Sequence, residues 1–196
     1  MSERIKIIGA ANSPYTRKIL SVFRYKHIPY SVYWEEVATH LAKLGVEPPR
    51  PILLPTILLK NEEGEYIATT DTTPIIRRLE NEYPGRNIIP KDPALSFINY
   101  LLEDFADEWI TKYMFHYRWY FEEDADNAGT ILPLSHMVNM PEDVHSQIKS
   151  MVAKRQIERL WVVGSNDKTA KLIDLSYRRF LKLSLIHISE PTRPNF

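Results

Sequence analysis

A hydroxyl side chain stands at the point where a predicted strand gives way to a predicted helix. The apolar run at 5–10 predicts a buried strand, and Ser13-Pro14 follows it at the start of an amphipathic segment. Serine is a preferred N-cap residue, and proline fits the first helical position. Because free backbone amides and the helix dipole favour negative charge at a helix N-terminus, this position can bind an anion such as a thiolate.

Two further pairs of residues have a special backbone or polar character. Leu54-Pro55 precedes the third predicted strand, and Asp71-Thr72 opens the predicted helix at 72–82. The amides at the start of that helix can receive a carboxylate. Pro55 can follow a cis or a trans peptide bond, since the trans preference before proline is small.

In this order, the three pairs resemble the serine-type members of the glutathione S-transferase superfamily. The resemblance extends over about residues 4–183. It implies a thioredoxin-like α/β N-terminal domain followed by an all-α C-terminal domain. Glutathione would be the co-substrate, and no metal is implied.

The resemblance implies a role for each pair. Ser13 would be the catalytic residue that faces the glutathione sulfur. The backbone of Leu54, beside a cis Pro55, would dock the cysteinyl part of glutathione. Asp71 and Thr72 would hold the γ-glutamyl ammonium and carboxylate groups.

Each of these residues also has a purely structural interpretation. Ser13 can be a simple N-cap, worth about 1 kcal/mol of stability. Asp71 and Thr72 can likewise serve only as helix caps. Asn12 is an alternative donor to the sulfur within the glutathione site, whereas the helical spacing of Tyr15 suggests a core position.

An aromatic cluster ends the first long helix of the C-terminal half. The resemblance makes its members candidates for the pocket that binds the electrophilic substrate: Tyr113, Phe115, Tyr117 and Trp119. His116 or Arg118 could meet an anionic group there. The alternative is that these aromatic residues are core and dimer contacts, since helical spacing cannot place all of them on one face.

The patterns divide the chain into four parts. These are a thioredoxin-like glutathione-binding domain at 1–83, a linker at 84–93, an incomplete all-helical domain at 94–183 and a non-native-looking tail at 184–196. The first part contains predicted strands at 4–10, 30–37, 56–60 and 66–69 and helices at 14–26 and 72–82. The helical part contains predicted helices at 94–121, 142–161 and 168–183 and a looser segment, with Gly129 and Pro133, at 125–141.

Composition excludes several classes of function. The 196 residues contain 25 basic and 25 acidic side chains, so the zero net charge gives no reason to expect nucleic acid or an anionic membrane as a partner. Cysteine is absent, which excludes disulfides and CxxC redox chemistry by the protein itself. The histidine spacing does not fit a zinc site. No apolar run approaches the roughly 20 residues of a membrane span, and we expect a cytoplasmic protein.

The tail from about Ser184 has neither helical periodicity nor core residues. It resembles a sequencing-adapter read-through translated as protein, which implies that the chain is truncated and its true C-terminal sequence is missing. The alternative is a genuine short tail. In either case we expect the preceding helices to leave apolar faces exposed.

The activity implied by the resemblance is attack of glutathione thiolate on small hydrophobic electrophiles, as in detoxification. A homodimer is implied for the full-length protein. A glutathione-dependent isomerase or dehalogenase would use the same glutathione site. The alternative from another class is a non-catalytic interaction module with the same fold, because fold alone does not fix function.

Overall fold

Strands and helices alternate through the first part of the chain in the computed structural model, which describes residues 4–135 and 137–184. The elements are β1 (Ile5–Ile8), α1 (Pro14–Lys26), β2 (Tyr30–Tyr33), α2 (Val37–Leu44), β3 (Thr56–Lys60), β4 (Tyr66–Thr69) and α3 (Thr72–Glu82). The predicted α1, β3, β4 and α3 are confirmed to the residue. The strand β2 ends before the predicted 37 because Glu36 caps α2 by accepting hydrogen bonds from the amides of Ala38 and Thr39.

The four strands form one mixed sheet in the order β2-β1-β3-β4. The central strand β1 is parallel to β2 and antiparallel to β3, and β4 is antiparallel to β3. Ile8 pairs with both Tyr33 and Thr56, and Ile57 pairs with Thr69. The carboxyl ends of β1 and β4 therefore lie at the same end of the sheet as the amino end of β3. This thioredoxin-like arrangement confirms the predicted fold class.

Two apolar clusters cover the two faces of the sheet. Ile7 and Ile57 belong to the cluster under α1 and α3, whereas Ile8 and Leu58 belong to the cluster under α2. This division follows from the strand period of two, which sends successive side chains to opposite faces. The larger cluster is buried between the sheet and the paired helices; its helical members are Ile19, Leu20, Val22, Phe23, Ile75, Ile76 and Leu79.

Gly9 lets α1 approach the end of β1 closely. A Cβ atom at this position would lie 2.6 Å from the Thr16 Cγ2 atom and 2.9 Å from its Oγ1 atom. Thr16 is fully buried, and its Oγ1 atom accepts a hydrogen bond from the Ala10 amide at 3.4 Å. The first turn of α1 is thus held directly against the strand that precedes it.

A buried ion pair joins the ends of α1 and α3. The Lys26 Nζ atom lies 2.6 Å from the Glu80 Oε1 atom, and the Lys26 side chain is fully buried. The Glu80 carboxylate also accepts hydrogen bonds from the amides of Ile88 and Ile89. Burial opposes ionisation of Glu80, but the hydrogen bonds from Lys26 and these amides hold the pKa of its carboxyl below the usual range.

The rest of the described chain is helical, as predicted. Its elements are α4 (Pro93–Phe105), a π-helical segment (Ala106–Ile110), α5 (Thr111–Trp119), α6 (Glu122–Leu134), α7 (Glu142–Ile157), a 3-10 turn (Leu160–Val163) and α8 (Ala170–Ser184). The described residues form two compact units. One contains 4–96 with 132–135 and 137–141, and the other contains 97–131 with 142–184. The domain boundaries predicted from the sequence stay predictions.

The prediction of a looser segment at 125–141 was wrong for its first half, which is helix α6. Gly129 is a helix-packing residue rather than a turn residue, because a Cβ atom there would lie 3.2 Å from the Lys149 Cγ atom of α7. Lys149 also forms an ion pair with Asp126 of α6. Pro133 lies in the last turn of the helix, where its missing amide disturbs few hydrogen bonds.

Large apolar side chains are exposed on the helices of the C-terminal half. None of the described residues of α4, α7 or α8 is buried. The exposed fraction is 61% for Phe97, 63% for Leu102 and 76% for Trp161. Apart from Ser184, the tail for which the sequence predicts an adapter origin lies outside the described residues.

We expect Gly9→Ala to destabilise the protein by about 1–3 kcal/mol, because the added methyl group displaces the first turn of α1. Chemical denaturation measures this loss. The double variant Gly9→Ala/Thr16→Ala removes the opposing side chain. It should lose less stability than the sum of the two single variants, and strict additivity would contradict the close contact.

We expect Glu80→Gln to lower the free energy of unfolding by about 3 kcal/mol, because it leaves the Lys26 ammonium group buried without its counter-ion. The matched control is Glu82→Gln in the same helix, which breaks an exposed pair with Arg78 and should cost less than about 1 kcal/mol.

The same ion pair predicts a pH dependence of unfolding. The folded-state pKa of Glu80 lies below its ordinary value of 4.5, so its contribution to stability is complete above that pH and is lost as the pH falls below it. The Glu80→Gln variant should therefore show a flatter acid limb in a pH series of denaturation curves. Equal acid limbs in the two proteins would contradict this role.

We expect the chain to self-associate at micromolar concentration through the exposed apolar side chains of its helices. Size-exclusion chromatography with light scattering measures this. The double variant Phe97→Ser/Leu101→Ser should reduce association, whereas Tyr25→Ser, which removes an exposed aromatic group from α1, should not. A monodisperse wild-type monomer that melts cooperatively would contradict the prediction.

Candidate functional site

The three residue pairs singled out in the sequence come together at one end of the sheet. Ser13 follows β1, Pro55 precedes β3, and Asp71 follows β4. The strand pairing places these three positions on the neighbouring strands β1, β3 and β4, at the same end of the sheet. The Lys18 Nζ atom, 3.4 Å from the Thr73 Oγ1 atom, also joins α1 to α3 near their first turns.

Ser13 is the N-cap of α1, as predicted. Its backbone is extended, and its Oγ atom accepts a hydrogen bond from the Thr16 amide at 3.3 Å. A serine hydroxyl carries one donor hydrogen besides its acceptor lone pairs. Capping therefore uses an acceptor position and leaves the hydroxyl hydrogen as the group that could be donated to an anion.

Two polar atoms at this end of the sheet are buried without a hydrogen-bond partner among the described residues. They are the Nδ2 atom of Asn12, directly before Ser13, and the Oγ1 atom of Thr69, the last residue of β4. A buried unsatisfied polar group costs about 1–3 kcal/mol. Thr69 was not singled out in the sequence, although its position at the carboxyl end of a strand, two residues before Asp71, was a usable signal.

The Leu54–Pro55 peptide bond is cis, which confirms the sequence prediction. Pro55 is buried, and Leu54 packs against the apolar cluster under α2. The Thr56 hydroxyl donates to the Leu53 carbonyl at 2.8 Å and fixes the entry into β3. The Arg50–Pro51 bond is also cis, which the sequence analysis did not anticipate.

Asp71 caps α3 from an uncommon backbone conformation. Its φ angle is +72°, and its side chain accepts a hydrogen bond from the Thr73 amide at 3.1 Å. Positive φ values are uncommon outside glycine, and strained residues of this kind often lie at functional sites. The Asp71 side chain is exposed while Thr72 is buried. A carboxylate thus stands beside the free amides at the start of a helix.

The predicted pocket residues lie on α5, within the helical unit. Tyr113 and Tyr117 pack against Tyr177 of α8, with ring centroids 5.6 and 5.1 Å apart. The Tyr117 hydroxyl donates to the Asp174 carboxylate at 2.5 Å. Burial, together with this hydrogen bond and the negative charge of Asp174, raises the pKa of Tyr117 to about 12. Phe115 lies on another face, beside Trp119.

His116 is the most buried member of the aromatic cluster. Its Nδ1 atom lies 2.7 Å from the Ser165 Oγ atom, and its ring stacks on Tyr120 with centroids 4.6 Å apart. Burial lowers the pKa of the imidazole. Burial also lowers the pKa of the half-buried Arg118 guanidinium. His116 therefore ties α5 to the turn before α8 as a neutral ring.

The described parts of the chain contain no group of three or more His, Asp or Glu side chains that could hold a metal ion. No helix within residues 4–135 and 137–184 is long and apolar enough to cross a membrane.

The sheet and its converging residues define a thioredoxin-like domain, and a comparison with family models shows which family this domain is similar to. Residues 7–87 match the family model for the glutathione S-transferase N-terminal domain. The match lies within the first compact unit and covers less than half of the chain, so it shows that this domain is similar to the N-terminal domain of that family. A search of curated proteins gave no match.

Solved structures of glutathione transferases are similar to this chain at low identity. The enzyme from Methylobacterium radiotolerans, in complex with glutathione sulfonate, has 19% identity over 80% of this chain and a TM-score of 0.44. The enzyme from Methylobacillus flagellatus, with glutathione bound, has 20% identity over 79% of this chain and a TM-score of 0.41. The chain spans 63% and 65% of these two proteins. Omega 1C from Trametes versicolor has 11% identity, covers 92% of this chain and 96% of its own, and has a TM-score of 0.48.

Proposed function

We propose that the chain binds glutathione at the sheet end formed by Ser13, Pro55 and Asp71 and activates its thiol for attack on a small hydrophobic electrophile. The observation that carries the proposal is the convergence of these three positions in a domain that matches the glutathione S-transferase family. The family match concerns the domain and carries no information on the reaction, so the roles of the individual residues are part of the proposal.

The start of α3 would hold the γ-glutamyl group of glutathione. The exposed Asp71 carboxylate pairs with the ammonium group, and the Thr72 amide at the helix N-terminus receives the carboxylate. The ammonium and carboxylate charges of the γ-glutamyl group are then matched by the Asp71 carboxylate and by the N-terminus of α3, respectively. The backbone of Leu54 would pair with the cysteinyl part in the manner of an added strand.

The start of α1 would stabilise the sulfur as a thiolate. The Ser13 hydroxyl hydrogen and the Asn12 amide are the donors at this point, and donors to the charged form lower the thiol pKa. The unpartnered Asn12 Nδ2 atom supports this assignment, because a bound sulfur would satisfy it. The thiol proton leaves to solvent. The thiolate then forms a carbon–sulfur bond to the electrophile, and the bond to the leaving group, chloride in a chloronitrobenzene, breaks without a covalent intermediate on the protein.

The aromatic residues of α5 are proposed to recognise the electrophile, and Phe115 is the strongest of the four candidates. Tyr113 and Tyr117 are already engaged with Tyr177, and Tyr117 donates its hydroxyl hydrogen to Asp174. Phe115 has its described ring contact only with Trp119 of its own helix.

A non-catalytic interaction module is the second candidate function. The exposed apolar faces of α4 and α8 favour it, because exposed patches of this kind mark protein interaction sites. Glutathione binding separates the two candidates, since an interaction module need not bind it.

We expect glutathione to bind the 196-residue chain and Asp71→Asn to weaken binding about tenfold, because asparagine keeps the helix cap but loses the charge that pairs with the ammonium group. Isothermal titration calorimetry measures this. Asp92→Asn is the matched control, since Asp92 caps the Leu95 amide of α4 in the same way.

Ser13→Ala should leave affinity within about threefold but raise the pKa of the bound thiol and slow conjugation of a chloronitrobenzene.

No glutathione binding by the wild-type chain would reject the enzyme and leave the interaction module. Equal loss of affinity in Asp71→Asn and Asp92→Asn would reject the site while leaving binding intact elsewhere. Unchanged thiol pKa and conjugation rate in Ser13→Ala would reject Ser13 as the catalytic residue.

A further inference from the structure

A second cleft lies at the opposite end of the sheet from Ser13, Pro55 and Asp71. Its walls come from the start of β1, the end of β3, the start of β4 and the last turn of α3. Its volume is about 310 Å³, at the lower end of the range of small-molecule sites. All of its residues belong to the thioredoxin-like unit, so the cleft is complete within one domain.

Positive charge dominates the wall of this cleft. Arg4, Lys60 and Arg78 line it, and Glu82 is the only carboxylate among its described lining residues. Glu82 is paired with the Arg78 Nε atom at 2.5 Å. The Arg78 Nη2 atom donates to the Lys60 carbonyl at 2.5 Å, so two hydrogen bonds fix the plane of the guanidinium group. A fixed guanidinium beside two further cations is suited to carboxylate or phosphate.

Aromatic rings form the other part of the wall. The Tyr66 ring lies beneath two ammonium groups, with Lys60 and Lys6 at 5.3 and 5.4 Å from its centroid. Tyr83 is half-buried against the core under α1 and α3, and this burial raises the pKa of its hydroxyl. Leu59 and Ile5 supply apolar lining on the face of the sheet that also carries Tyr83, whereas Leu58 lies on the opposite face together with Tyr66. The cleft thus lies at the end of the sheet, takes apolar residues from both faces and has a cationic rim.

We propose that this cleft is a binding site for a small aromatic anion, a carboxylate or phosphate carried on a planar ring. The anionic group lies among Arg4, Lys60 and Arg78, and the ring lies against Tyr83. An extended polyanion such as nucleic acid is disfavoured, because the neighbouring β3–β4 turn carries Glu62, Glu63 and Glu65. The site is independent of the proposed glutathione site.

The test is calorimetric titration of the full chain with 2-naphthoate and 2-naphthyl phosphate, and with the neutral 2-naphthalenemethanol as a control for charge. We expect the anions to bind, the alcohol to bind at least about tenfold more weakly, and added salt to weaken the anions. Lys60→Gln and Arg4→Gln should each reduce anion affinity about fivefold. Lys91→Gln, at an exposed lysine outside the cleft, should leave it unchanged.

The relative affinity of the two anions identifies which anionic group the cleft prefers. Anion binding that is equally strong in wild type, Lys60→Gln and Arg4→Gln would overturn the proposal, as would equal binding of the neutral alcohol. Titration with glutathione separates the two sites. Asp71→Asn should affect glutathione alone, and Lys60→Gln should affect the naphthyl anions alone, so failure of one proposal leaves the other to be judged on its own data.

Discussion

The buried ion pair between Lys26 and Glu80 constrains the two helices that begin at the candidate site. It joins α1 to α3 at their ends and, through the Ile88 and Ile89 amides, also fixes the segment that follows α3. Both helices begin at the other end of the sheet, where Ser13 and Asp71 stand. An ion pair at the far ends of the helices therefore acts together with their shared apolar core to hold the two N-termini beside each other. A buried pair of this kind is costly to break by removing one partner.

At the candidate site, helix capping and the proposed ligand binding would use the same residues without competing. Ser13 accepts from the Thr16 amide and keeps its hydroxyl hydrogen, while Asp71 accepts from the Thr73 amide and keeps an exposed carboxylate. Capping therefore leaves each residue a group with which it could carry out the proposed role. A helix N-terminus provides both the positive end of the helix dipole and free backbone amides, and the capping side chain lies directly beside them.

Sequence reasoning succeeded where local chemistry determines the structure and failed where distant segments do. The starts of α1 and α3 were predictable, because a capping residue carries the signal within the neighbouring sequence. The cis bond at Pro55 was expected from the family resemblance, whereas the proline alone left cis and trans open. Gly129 was misread as a loop residue, since its reason is the approach of Lys149 from another helix. The sequence could not show that the Asn12 amide and the Thr69 hydroxyl are buried without a hydrogen-bond partner among the described residues. It also could not show that Arg4 and Arg78 line one cleft, because only the folded sheet brings them together.

The two edge strands of the sheet influence which kind of intermolecular contact this protein can form. The edge strands β2 and β4 contain only four residues each, and Pro29 stands directly before β2. Short edges offer a poor template for backbone pairing with another chain. Contacts between molecules would then form between side chains of helices, which favours oligomers that dissociate on dilution over cross-β fibrils that do not.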